Sequence, residues 1–165
     1  EKDPFQIASA IAAYAGDQNF DMIFTGMQSQ DRGSAQVGVL LAGMLGLPAV
    51  TTIVSFEFDN GTATVRRELE GGLKAQVKLA FPALLTCQLG LNTPRYPTLP
   101  NIMKSKKKEL VSIPVADLLK VEAVTVTNTT RFPEKKGGGL VLEGDIAEIT
   151  EQLVSILKEK TTVLK

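Results

Sequence analysis

The chain has 165 residues, 44% hydrophobic and 22% charged, enough for a domain with its own core and too apolar for wholesale disorder. Lys and Arg number 18, as do Asp and Glu, so the formal net charge is zero and a broad nucleic-acid footprint is not expected. His and Trp are absent and Cys occurs once, which removes Ser-His-Asp triads, His-ligated metals, Cys-based zinc sites and intrachain disulfides together.

Glu1-Lys2-Asp3-Pro4 lacks the features of a signal peptide and does not begin with Met, which leaves open a natural start further upstream. No apolar run is long enough to cross a bilayer as a helix, so stable membrane insertion is not expected. Asp3 caps and Pro4 opens a predicted helix, on which Phe5, Ile7, Ala8, Ile11, Ala12 and Tyr14 recur at helical spacing. The apolar run 20–25 then predicts a strand ending in Gly26. A polar loop to Ser34 leads into a helix from about Ala35 to Leu45, stopped by Gly46 and Pro48. Helix, buried strand, glycine turn and helix make an α/β unit with an expected parallel sheet.

Residues 49–57, 62–69, 73–80 and 83–89 read as successive strands, the first two joined by an Asn60-Gly61 hairpin and the next two by Gly71-Gly72. So many consecutive strands in an α/β chain predict an antiparallel ribbon beside the parallel sheet. Cys87, in the run Pro82-Ala83-Leu84-Leu85-Thr86-Cys87, reads as a small buried hydrophobe. The stretch 91–108 is irregular, with Pro94, Pro97 and Pro100 and a possible short helix. Val121–Thr127 predicts a further strand, Gly137-Gly138-Gly139 a flexible joint, and Asp145 with Glu148 a capping box opening a last amphipathic helix.

Three segments carry candidate chemistry. Gly26 to Gly38 lies between a strand's C-terminal end and a helix N-terminus, where open α/β sheets bind ligands. Small residues there (Gly33, Ser34, Ala35) with helix N–H groups suit a phosphate, Arg32 adds charge, and Gln28 and Gln36 suit a base or ribose. The spacing matches neither the Walker A pattern nor GxGxxG, and the default reading of these residues alone is an ordinary strand-to-helix turn capped by Asp31 or Ser34. Arg66-Arg67-Glu68-Leu69-Glu70-Gly71-Gly72 fits a solvated strand face or a charge turned toward a cofactor or partner. No carboxylate pair in it suggests general acid–base work. In Arg95 to Lys108, two prolines stiffen a loop bearing Leu99, Ile102 and Met103, which lowers the entropy cost of docking, and lysines follow that suit an acidic partner. A core-facing turn with a solvated basic helix end is the alternative.

Arg95-Tyr96-Pro97-Thr98-Leu99-Pro100-Asn101-Ile102-Met103-Lys104, followed by Lys106-Lys107-Lys108, closely resembles the signature of the electron-transfer flavoprotein β (small) subunits. Gly26–Gly38 looks like that family's nucleotide loop, with Asp31, Gln36 and Gly38 in matching places. Arg67-Glu68-Leu69-Glu70-Gly71-Gly72 looks like its Arg-Glu-x-x-Gly-Gly element, and Pro82–Thr86 precedes the signature as in the family. The likeness is good over about residues 20–110. In the tail, Pro133-Glu134-Lys135 and Glu143-Gly144 match some members only. Arg32 and Gly33 stand where the family often has acids.

The resemblance implies a parallel-sheet nucleotide-binding (adenine nucleotide hydrolase-like, Rossmann-like) fold with an antiparallel ribbon. Residues 1–120 would be part of that domain, including the recognition loop 91–108. Residues 121–165 would form a strand-and-helix arm on a partner subunit, and an N-terminal portion of the family's domain would be missing. The implied function is electron carriage, without catalytic residues or a metal, between flavin dehydrogenases and a downstream acceptor. An α subunit would hold FAD, and β would hold AMP or, in electron-bifurcating members, a second FAD. By position, Gly26, Gln28, Asp31, Gly33, Ser34, Ala35, Gln36 and Val37 would line the nucleotide. Leu99 would anchor the dehydrogenase, with Tyr96, Thr98 and Ile102 shaping the loop, Glu68 near the subunit interface and Arg67 as its neighbour. The location implied is the cytoplasm, or the mitochondrial matrix in a eukaryote. The rival reading is a stand-alone universal-stress-type nucleotide-binding module.

Overall fold

A computed structural model describes residues 2–134 and 137–162, so Lys135 of the tail motif lies outside the described residues. The chain forms two compact units, Glu1–Val126 and Thr127–Lys165. In the first, α1 (Pro4–Ala15) opens with Asp3 at its N-cap and a reciprocal capping box to Gln6. Strand β1 (Met22–Gly26) follows, then α2 (Val37–Leu45), ended by left-handed Gly46. The start of α2 comes two residues later than the sequence predicts because Ala35 has φ +52, which no right-handed helix accommodates.

Strands β2 (Ala49–Asp59), β3 (Thr62–Glu68), β4 (Lys74–Ala80) and β5 (Ala83–Cys87) complete a single sheet of order β1-β5-β2-β3-β4. Both β1 and β2 run parallel to β5, whereas β2, β3 and β4 pair antiparallel. The predicted α/β sheet with an attached ribbon is therefore observed. The turns fall at Asn60-Gly61 and at a short 3-10 turn, Glu70–Gly72, where Gly71 and Gly72 both take positive φ.

Side-chain alternation divides the core between the sheet's faces. On one, Leu84 packs with Ala8, Leu41 and Ala42 of α1 and α2. On the other, Val50, Ile53, Ala63, Val65 and Leu85 form a buried cluster flanked by Phe56, Val77, Phe81 and Cys87. Cys87 is thus partly buried against core hydrophobes, and desolvation pushes its thiol pKa up, as suits a structural thiol.

After β5 come the short helices α3 (Leu99–Ser105) and α4 (Val115–Leu118), the latter not foreseen from the sequence. The strand predicted at Val121–Thr127 does not form. Its Val124 and Thr125 N–H groups donate instead to Asp3 Oδ2, at 2.7 and 3.0 Å, and Gln6 Nε2 donates to the Val121 carbonyl at 3.3 Å. A carboxylate thus satisfies the donors that a neighbouring strand would have taken. In the second unit, α5 (Ile146–Lys160) begins at the predicted capping box: Glu148 N donates to Asp145 Oδ1 at 2.9 Å and Asp145 N to Glu148 Oε2 at 3.2 Å.

Candidate functional site

The C-terminal ends of β1 and β5 stay in register to Gly26 and Cys87, and Met27 N donates to the Cys87 carbonyl at 3.0 Å. There the chain leaves the sheet and wraps a cleft of about 700 Å³, within the range of small-molecule sites. Gly26, Gln28, Asp31, Ser34, Ala35, Gln36 and Val37 all line it. Gly33 does not. Its N–H donates to the Ser29 carbonyl at 2.9 Å and its φ is +59, so it shapes the loop from behind.

Several lining residues were outside the sequence-derived list. Thr25 and Gly38 supply the base of the cleft, and Lys2, Ile7 and Ile11 come from α1 and the residue pair before it. The i, i+4 spacing of Ile7 and Ile11 marks a shared face of α1 but carries no signal of what that face meets. Arg32 donates to the Lys2 carbonyl, joining the loop to the start of α1.

The chemistry of this cleft is set by backbone donors. The first intrahelical bond of α2 runs from Leu40 N to the Gln36 carbonyl at 2.9 Å, which leaves the N–H groups of Val37, Gly38 and Val39 without intrahelical acceptors. Gln36 makes no side-chain cap and no acid occupies the first turn, so the positive end of the helix faces the cleft, which it shares with the side chains of Lys2, Asp31 and Arg32. Thr25 Oγ1 is buried and has no hydrogen-bond partner among the described residues. Asp31 is held below its ordinary pKa by the Ser29 hydroxyl, and to a lesser extent by backbone N–H groups and the Arg32 charge. These donors, with Lys2 and Arg32 at the rim, fit the phosphate of a nucleotide, and the amides of Gln28 and Gln36 fit its polar edge.

The predicted docking residues form a separate surface. Tyr96 is 95% exposed and Leu99 73%, and Ile102 is also exposed. Thr98 stands at the N-cap of α3 with Pro100 in its first turn, so the helix begins where the stiff loop ends. Glu68 lies elsewhere, at the end of β3, where Gln88 Nε2 reaches its Oε2 at 3.4 Å and Thr52 Oγ1 donates to its carbonyl at 3.3 Å.

The family model described as the electron transfer flavoprotein domain matches residues 1–118, which include both the cleft and α3. The chain is 39% identical over 168 residues to the electron transfer flavoprotein subunit beta of Bacillus subtilis, covering 99% of this chain and 65% of that protein. It is 36% identical over 161 residues to the same-named subunit of Homo sapiens, covering 94% of this chain and 59% of that one. To the Arabidopsis thaliana subunit, whose name specifies mitochondrial, it is 36% identical over 166 residues, covering 98% and 63%. The chain thus spans between 59% and 65% of the length of these relatives. Among the described residues no helix is long and apolar enough to cross a membrane.

Proposed function

The chain belongs to the electron transfer flavoprotein domain family, and on that premise we propose that it is the greater part of a β subunit that carries electrons between flavin dehydrogenases and a downstream acceptor. It works in a heterodimer with an α subunit, as an electron carrier and not as an enzyme with a substrate of its own. The observation that supports this best is the uncapped N-terminus of α2 facing a cleft of nucleotide size, within the stretch that the family model matches.

In this reading the cleft holds AMP. The N–H groups of Val37, Gly38 and Val39 bind its phosphate, with Lys2 and Arg32 adding charge, and Gln28 and Gln36 orient the ribose and base. FAD, held mainly by the α subunit, supplies the redox chemistry when bound. This chain contributes position: the clamp braces the sheet, the Leu99 loop presents a hydrophobic knob to a flavin-dependent dehydrogenase, and Glu68 sits toward the subunit interface. The arm of residues 121–165 packs on the α subunit. The cytoplasm, or the mitochondrial matrix in a eukaryote, is the matching location.

Gln36-Val37-Gly38, which resembles the loop of bifurcating members, favours a second reading in which the β cleft holds a redox-active FAD. The test is to purify the native complex, denature it and quantify FAD and AMP per αβ pair. One of each is the expected result. Two FAD and no AMP would establish the bifurcating reading. Nucleotide without flavin or an α partner would overturn both in favour of a stand-alone universal-stress-type module.

A further inference from the structure

Strand β3 breaks its own pattern at Arg67. Ala63 and Val65 are fully buried on the sheet face turned away from α1 and α2. Arg67 is the next residue on that face, paired with Ile53 of β2 on one side and Ala75 of β4 on the other. Ile53 in turn pairs with Cys87 of β5. The arginine side chain therefore stands in a row whose neighbours are Ile53, wholly buried, a methyl group and the partly buried Cys87 thiol. Its Nε is buried and has no hydrogen-bond partner among the described residues.

Such a placement is unfavourable in the chain alone. Arginine cannot shed its charge, and although the side chain as a whole is partly exposed, its buried Nε–H lacks an acceptor among the described residues and bears a desolvation cost that no bond offsets. A carboxylate remedies this best, because its two oxygens match the planar fork and the apolar surroundings strengthen the pair. This counter-ion is distinct from the nucleotide phosphate. Thr25 and Thr86 meet Gly38 of α2 on the helix-covered face, whereas Arg67 lies on the other. On the same face Phe24, 48% exposed, stands edge-to-face with Phe56 at 5.3 Å. A free anion would leave that ring in water. A protein surface covers the ring and supplies the carboxylate together.

We propose that Arg67 is a docking point for an Asp or Glu carboxylate of the partner subunit, on the sheet face opposite the nucleotide cleft, with Phe24 as the apolar part of the same contact. This rests on the β-subunit reading above. Arg67 is a positioning residue here and touches no reacting atom.

The test compares native chain with Arg67→Met, Arg67→Lys and Arg67→Glu, measuring affinity for the α subunit by titration and the melting temperature of each chain without its partner. Arg67→Met is expected to melt no lower than native, because an unpaired cation has left an apolar face, while its affinity for the α subunit falls at least about tenfold. Arg67→Lys should fall between native and Arg67→Met. Arg67→Glu should bind most weakly and be restored by a Lys or Arg in place of one acidic residue of the α subunit. Unchanged affinity in Arg67→Met overturns the proposal while leaving the β-subunit reading standing. A lower melting temperature for Arg67→Met without its partner overturns it too, since the guanidinium would then serve the chain's own fold. If the native chain binds no α subunit, the β-subunit reading fails and the proposal with it.

Discussion

Gly38 of α2 faces Thr25 of β1 so closely that a Cβ on Gly38 would lie 2.6 Å from Thr25 Oγ1 and 2.9 Å from Thr86 Cγ2. Only a residue without a side chain lets the first turn of α2 approach the strand ends at this distance, and that approach brings the helix N–H groups to the cleft. Gly38→Ala should destabilise the chain by about 1–3 kcal/mol through overpacking, despite the better helix propensity of Ala. Bound nucleotide should be lost on gel filtration of the variant complex. Thr25→Ala in the same chain should recover part of the stability, with Thr86 Cγ2 still in the way. Thermal melts of the four combinations give the coupling directly.

Asp3 makes a prediction about acid. Its carboxylate accepts Gln6 N at 2.7 Å, as well as the N–H groups of Val124 and Thr125 and the Thr125 hydroxyl. These bonds, the one from Gln6 foremost, lower its pKa from 3.8. The folded value lies below the unfolded one, so this contribution to stability is complete above 3.8 and is lost as pH falls through the lower folded value. Asp3→Asn should abolish that part of the pH dependence. Hydrogen exchange at Val124 and Thr125 should accelerate in the variant at neutral pH and, in the native chain, only on strong acidification.

Leu99 should separate docking from folding. It is 73% exposed, so Leu99→Ala should change the chain's stability by no more than about 0.5 kcal/mol. If it anchors the dehydrogenase, the same substitution should slow dehydrogenase-to-flavin electron transfer at least about tenfold, the scale of a lost interface anchor. Flavin content should not change. Stopped-flow reduction of the complex by a flavin dehydrogenase measures this, and a native rate in the variant would remove Leu99 from the interface.

The last helix depends on its cap. Asp145→Ala removes the acceptor of Glu148 N and should cost α5 about 1 kcal/mol. Exchange of the first-turn amides in the intact chain should rise, while those of α2 stay as they were.

Much of this arrangement could be read from local pattern. The helix caps at Asp3 and Asp145, the Asn60-Gly61 hairpin and the strand–loop–helix that forms the cleft all follow from residues close together in sequence. The misreadings have a long-range origin. Val121–Thr127 has the β-branched composition of a strand, but its donors are taken by a carboxylate at the other end of the unit. Ile7 and Ile11 looked like core positions of α1, and only the tertiary fold turns them toward the cleft. Arg67 read as one charge of a solvated strand face or, by the resemblance, as a neighbour of Glu68 near the subunit interface; only the register with Ile53 places it on the apolar face.

The strand order β1-β5-β2-β3-β4 also predicts an order of events on folding, which φ-values at the two pairings would test. The ribbon β2-β3-β4 closes through short turns, so its contacts are local and can form early. The pairing of β1 with β5 must wait until the whole intervening chain has been gathered in, which carries a larger loop-closure entropy. The cleft is built where those two strands end, so it is among the last parts of the unit to take shape. A nucleotide that binds there can act on refolding only after this late closure, by slowing the escape from it, and the ribbon can form without it.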